Sequence, residues 1–116
     1  MTDAQILRLS SRKDVILAVV QCHEFDHHAT VRLKTELAAL TARNACRPVV
    51  LDLSNVQFLA SMTLGVLVEA SKSFSSIDRS FCVVGLSKNL REMMQSFSIL
   101  HLFDVCDTVE DVLREV

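Results

Sequence analysis

Two stretches of this sequence carry side chains capable of chemistry. In the first, Gln21-Cys22-His23-Glu24-Phe25-Asp26-His27-His28-Ala29, six potential metal ligands (Cys22, His23, Glu24, Asp26, His27 and His28) fall within seven positions. Thiolate, imidazole and carboxylate are the groups that hold zinc and other transition ions. Adjacent His27 and His28 nevertheless diverge in a helix as in a strand, and no second cluster of such residues follows in the chain. The stretch therefore reads as a polar strand-to-helix loop capped by Asp26, or as a partner-binding surface. Neither a metal nor another cofactor is expected.

The second stretch, "FLASMTLG" (58–65), follows the most apolar run of the chain and precedes a helical pattern. Ser61 and Thr63 thus fall where a strand hands over to a helix N-terminus. Unpaired amides and the helix dipole favour anions there, and in an open α/β sheet the carboxyl ends of strands are where ligands bind. Two readings follow. Ser61 caps the helix, a role serine fills well, or Ser61 carries a phosphate, adding about −1.5 to −2 charge. A hydrolase would join Ser61 to His27 or His28 and to Asp26 or Asp52, but Ser61 lacks a GxSxG context and an enzyme is not expected. His101, alone in an apolar run, reads as a packed or surface histidine.

The elements that must position these residues follow from periodicity. "AQILRLS" (4–10) alternates Ile6, Arg8 and Ser10 against Leu7 and Leu9, as an edge strand does. "VILAVVQC" (15–22) is a continuous, β-branched run, and the short "SRKD" between the two predicts an antiparallel hairpin. "ATVRLKTELAALTARN" (29–44) gathers Leu33, Leu37 and Leu40 on one face of an amphipathic helix. Pro48 introduces "VVLDLS" (49–54), a buried central strand. "TLGVLVEASKSFSS" (63–76) sets Leu64, Leu67, Val68, Ser71 and Phe74 at helical spacing despite Gly65. "SFCVVGL" (80–86) is another buried strand, and Ser87 caps "KNLREMMQSF", where Leu90, Met93, Met94 and Phe97 repeat. "ILHLFDV" (99–105) fits a strand or a loop. Thr108 and Asp111 make a capping box before a last helix with Val109, Val112, Leu113 and Val116. The order β-β-α-β-α-β-α-(β)-α predicts one α/β domain over 1–116, with a mostly parallel sheet of four or five strands and right-handed crossovers.

Composition excludes several function classes. Half of the residues are apolar and 22% are charged, a globular balance with a formal net charge of −2. The basic residues (Arg8, Arg12, Lys13, Arg32, Lys34, Arg43, Arg47) are scattered without interleaved aromatics, which argues against nucleic acid as a partner. No apolar run approaches the ~18–20 residues that span a bilayer, so membrane insertion is not expected. Met1-Thr2-Asp3-Ala4-Gln5 lacks the profile of a secretory signal. Cys22, Cys46, Cys82 and Cys106 form no CxxC pair, and each adjoins apolar residues. They read as reduced, buried thiols of a cytoplasmic protein.

Two motifs resemble the STAS family, the bacterial anti-sigma factor antagonists and their relatives. "EFDHHA" (24–29) is similar to the family's G-E-L-D segment between its second strand and first helix. "VVLDLSNVQFLASMTLGVLVEA" (49–70) is similar to its V-V-L-D-L-S-x-V-x-F signature continued by D-S-[ST]-G-L-G-V-L. The later "VVGLSKNLREMMQSFSILHLFDVCDTVEDVL" fits the family's C-terminal part, so the resemblance runs along essentially the whole chain. It implies a STAS-type sheet and a regulator that binds an anti-sigma factor, itself a serine kinase, in a partner-switching pathway controlling transcription. Ser61 aligns with the phosphorylated serine, and Asp26, His27, His28, Ala60, Ser61, Met62 and Thr63 make up the implied partner-binding surface. A phosphatase and a second copy of the chain are the further partners the resemblance allows. Ala60 stands where the family has Asp, Met62 where it has Ser or Thr, and Thr63 where it has Gly. The second reading is accordingly an unphosphorylated STAS interaction module in a larger signalling or transport assembly.

Overall fold

The computed structural model describes residues 5–42 and 47–114. Its first feature is a hairpin of β1 (Leu7–Arg12) and β2 (Val15–Val20), paired from Leu7↔Val20 to Arg12↔Val15. Lys13 and Asp14 alone make the turn, with φ of 48° and 65°. Positive φ at both central residues is the type I′ geometry, whose twist matches that of the strands it joins. The turn is thus shorter than "SRKD", and β1 runs on to Arg12 instead of stopping at Ser10. β1 begins on a clamp: the Glu36 carboxylate accepts hydrogen bonds from Ile6 N and Leu7 N, each 2.9 Å, with Arg32 3.7 Å away.

Helix α1 (His27–Ala42) leads to β3 (Val49–Asp52), α2 (Ser61–Ser76), β4 (Phe81–Val84) and α3 (Lys88–Ser96). The ambiguous 99–105 segment resolves into a 3₁₀ turn (Leu100–Leu102) and β5 (Asp104–Cys106), before α4 (Val109–Arg114). The five strands lie in sequence order, β1-β2-β3-β4-β5, antiparallel in the first pair and parallel thereafter. Because each parallel strand is added on the same side, right-handed crossovers place α1, α2 and α3 on one face. Leu33, Leu37, Leu64, Leu67, Leu90 and Met94 from these helices pack with Val49, Leu51 and Val83. On the other face α4 brings Leu113 against Val15, Val50 and Val84. Leu51 is wholly buried and Val50 nearly so; a strand covered on both faces needs no alternation of polar residues.

The caps agree with local chemistry. Ser87 Oγ accepts from Leu90 N at 3.1 Å, and Thr108 and Asp111 exchange reciprocal bonds of 3.2 Å. Phe97, expected on the apolar face of α3, is instead 52% exposed, because the helix ends at Ser96 and Ser98 turns the chain at φ 57°. Cys22, Cys82 and Cys106 are half-buried, more accessible than the buried hydrophobes expected. Arg43, Asn44, Cys46 and Val116, to which roles were assigned above, lie outside the described residues.

Arg79 was given no role by the sequence. It is 5% exposed; its Nε donates to Arg47 O (2.7 Å) and its Nη1 to Leu40 O (2.8 Å). The guanidinium lies 5.2 Å from the centroid of Phe74, which stacks on Phe81. One side chain thereby holds the end of α1, the lead-in to β3 and the loop before β4.

The two glycines have opposite meanings. Gly85 has φ +75°, and a Cβ there would stand 2.9 Å from Asp52 Oδ1 and from the backbone and Cβ of Ser54. A Cβ on Gly65, within α2, would meet nothing within 4 Å. Gly65→Ala should therefore raise stability by up to ~1 kcal/mol, and Gly85→Ala should lower it by about 1–3 kcal/mol. Urea unfolding of the two variants beside the parent checks both signs.

Candidate functional site

Beyond the regular pairing of β2 and β3, the chain continues as two loops that stay side by side. Gln57 N and Phe58 N donate to His23 O (2.8 and 3.2 Å), Phe25 N donates to Phe58 O (3.3 Å), and Glu24 bridges to Phe58 in parallel sense. Phe25, Val56 and Leu59 are buried beneath them. The two stretches singled out in the sequence therefore meet at the carboxyl ends of the strands, where α1 and α2 begin.

Asp26 is the cap of α1, its Oδ1 accepting from Ala29 N at 2.8 Å. The helix starts at His27, two residues before the expected Ala29, so His27 and His28 belong to its first turn and are exposed. The potential ligands around them are engaged with backbone. Cys22 Sγ lies 2.7 Å from Glu24 O, and His23 Nδ1 lies 2.8 Å from Asn55 O. Asp52, the other carboxylate considered for catalysis, accepts from Ser54 N at 2.9 Å. Among the described residues, neither His27 nor His28 hydrogen-bonds Ser61.

At the head of α2 the structure corrects one sequence reading. Ser61 is not the helix cap. That position belongs to Ala60, in extended conformation (φ −81°, ψ 159°) and without a side-chain cap bond. Ser61 is the first helical residue, exposed, and among the described residues none accepts from or donates to its hydroxyl. A methyl group at the cap leaves the first-turn amides without the side-chain acceptor that Ser, Asp or Asn would supply. Phe58 and Met62 flank it, 57% and 46% exposed. Phe58 was quoted in the motif yet not singled out; its signal was a large aromatic just before the buried Leu59, at a position the core does not use.

Thr63 departs from expectation as well. It was placed on the partner-binding surface, but it is completely buried between the two helices. Its Oγ1 lies 2.9 Å from that of Thr30, and Thr30 Oγ1 is 2.7 Å from Asp26 O. Thr30 has one hydroxyl proton, which goes to the Asp26 carbonyl, so Thr63 donates to Thr30. The Cβ added where the family has glycine is accommodated by ordinary helical backbone. Ala60, half-buried, completes the set. Five of the seven residues (Asp26, His27, His28, Ser61 and Met62) thus share one exposed end of the fold. Thr63→Val should cost about 1 kcal/mol by removing a donor, and Thr30→Val more, because it leaves a buried Thr63 hydroxyl without its acceptor. In a double-mutant cycle followed by chemical denaturation, the paired valines should cost less than the sum of the singles.

The profile of the STAS domain matches residues 9–112. An anti-sigma F factor antagonist of Paenibacillus polymyxa is 23% identical over 101 residues, spanning 87% of this chain and 86% of that protein. The crystal structure of an anti-sigma factor antagonist from Mycobacterium paratuberculosis superposes with a TM-score of 0.82 at 24% identity, covering 95% of this chain and 92% of that one. The anti-sigma factor antagonist SpoIIAA in its unphosphorylated form gives 0.76 at 14% identity, with 94% of each chain covered. The mixed five-stranded sheet is the fold these structures share. With a match that runs from the edge strand β1 into α4, the chain belongs to the STAS domain family.

Proposed function

We infer that this chain is an anti-sigma factor antagonist, a single cytoplasmic STAS domain whose exposed end around Ser61 binds an anti-sigma factor and is controlled by phosphorylation of Ser61. The reading is supported by the name of the Paenibacillus polymyxa relative and by SpoIIAA, whose structure is known in both unphosphorylated and phosphorylated forms. The observation that carries it is the placement of the Ser61 hydroxyl: solvent-facing, at the first position of α2, beyond a cap with no side-chain acceptor. A kinase can reach such a hydroxyl, and the helix dipole stabilises the dianion it would become. Phe58 and Met62 beside it supply apolar contact for the unphosphorylated complex, and a new charge among them would weaken that complex by desolvation.

The same exposed pair favours a second reading, an unphosphorylated interaction module in a larger signalling or transport assembly. There the absent carboxylate at Ala60 means that no kinase reads Ser61, and apolar contact alone makes the complex.

The test is to incubate the protein with its genomically neighbouring anti-sigma kinase and ATP, then to map phosphopeptides and measure binding. The expected result is phosphate on Ser61 alone and none on Ser61→Ala, which still binds. Ser61→Glu should weaken the complex by about tenfold or more, ~1.4 kcal/mol. An active kinase that binds the protein and leaves Ser61 unmodified would select the second reading. No binding to that kinase would overturn the first reading.

A further inference from the structure

Cys82 and Cys106 lie far apart in sequence and form no motif, yet the fold brings their sulfurs to 3.9 Å. They stand on neighbouring parallel strands, β4 and β5. Cys82 pairs with Asp104 and Val84 with Cys106, so the two thiols are diagonal neighbours on the same face of the sheet. That face is the one covered by α4. Both sulfur-bearing residues pack at the margin of the small cluster of Val15, Val50, Val84 and Leu113, alongside Val109 and Val112. Both are half-buried and neither is bridged.

Three features make the pair more than two small core residues. The sulfurs are already in van der Waals contact, so a bond of about 2.05 Å requires them to approach by only ~2 Å. The strand that must move is β5, three residues long and hydrogen-bonded on one side only; a short edge element opens at lower cost than the central strands. The lid over the pair is α4, six residues long, its first turn fastened by exposed contacts: the Thr108–Asp111 box and the Arg12–Glu110 ion pair at 3.7 Å.

We propose that Cys82 and Cys106 are a modification site, a dithiol that peroxides oxidise to an intramolecular disulfide linking β4 to β5. A thiolate of the pair attacks one peroxide oxygen of hydrogen peroxide, the O–O bond breaks, and a sulfenic acid and hydroxide result. The second thiolate attacks the sulfenic sulfur, the S–O bond breaks, and a further hydroxide leaves. The two thiol protons convert the hydroxides to water. The pair loses two electrons to the peroxide, so that two thiols and one hydrogen peroxide give one disulfide and two waters. A sulfenic acid formed on either residue has its resolving thiol at contact distance, which favours condensation over further oxidation to sulfinic acid. A thiol reductant reverses the step.

The experiment treats the reduced, full-length protein with hydrogen peroxide, quenches with an alkylating agent in denaturant, and maps non-reduced peptides by mass spectrometry. The expected result is a monomer lighter by two hydrogens, with the Cys82 and Cys106 peptides joined and the bond lost on treatment with dithiothreitol. The Cys22→Ser/Cys46→Ser variant should give the same link, and Cys82→Ser should instead accumulate sulfenic or sulfinic acid on Cys106. Wild-type protein in which Cys82 and Cys106 stay alkylatable, are converted separately to sulfinic acids, or bridge to Cys22, Cys46 or another molecule would overturn the proposal.

Discussion

The placement of everything else follows from β3, whose two faces are both sealed. Val49 and Leu51 look toward α1, α2 and α3, and Val50 toward α4. A strand enclosed in this way suits parallel neighbours reached through helices. With the strands added in sequence order, three crossovers must return over one face. The ends at which strands become helices then crowd onto a single edge of the sheet. The exposed end formed by residues 24–28 and 58–62 is a product of that topology before it is a product of any particular side chain.

Local chemistry then decides what that end can do. The loops leaving β2 and β3 are laced together through His23 and Phe58, so the starts of α1 and α2 are fixed relative to one another. A buried hydroxyl pair, Thr30 with Thr63, fills the contact between them. The departures from the family's motif therefore fall into two kinds. Thr63 is an internal change, absorbed by a new hydrogen bond and invisible from outside. Ala60 and Met62 change the outward chemistry, removing a carboxylate and a hydroxyl from either side of Ser61 and replacing them with apolar surface.

What the sequence made legible was whatever depends on near neighbours. The central strands announced themselves as unbroken apolar runs, and the caps at Asp26, Ser87 and Thr108 by residue type and spacing. It failed where a residue's meaning comes from a distant partner or from one step of register. One of the two readings of Ser61 made it a cap because serine is a good one, but α2 starts at Ser61 itself, with Ala60 as its cap. Arg79 was given no role, and only the return of the chain past Leu40 and Arg47 shows it bonding their carbonyls. The hairpin turn was overestimated because Lys13 and Asp14 are poor advertisements for positive φ, which they adopt to match the twist of β1 and β2. The approach of Cys82 to Cys106 has no trace in spacing, since it is created by the pairing of β4 with β5.

The clamp that Glu36 places on Ile6 and Leu7 bears on the free border of the sheet. An exposed border strand presents unpaired backbone groups that can recruit other chains, and β1 is six residues long. Its open flank carries Arg8 and Arg12, whose charges discourage a stranger from aligning. The carboxylate guards the other weakness, the tip from which such a strand would peel. Peeling would strand a half-buried carboxylate beside Arg32, so the tip can lift only when α1 yields with it. The border is held shut from within by one acid on the helix whose first turn also belongs to the functional end of the molecule.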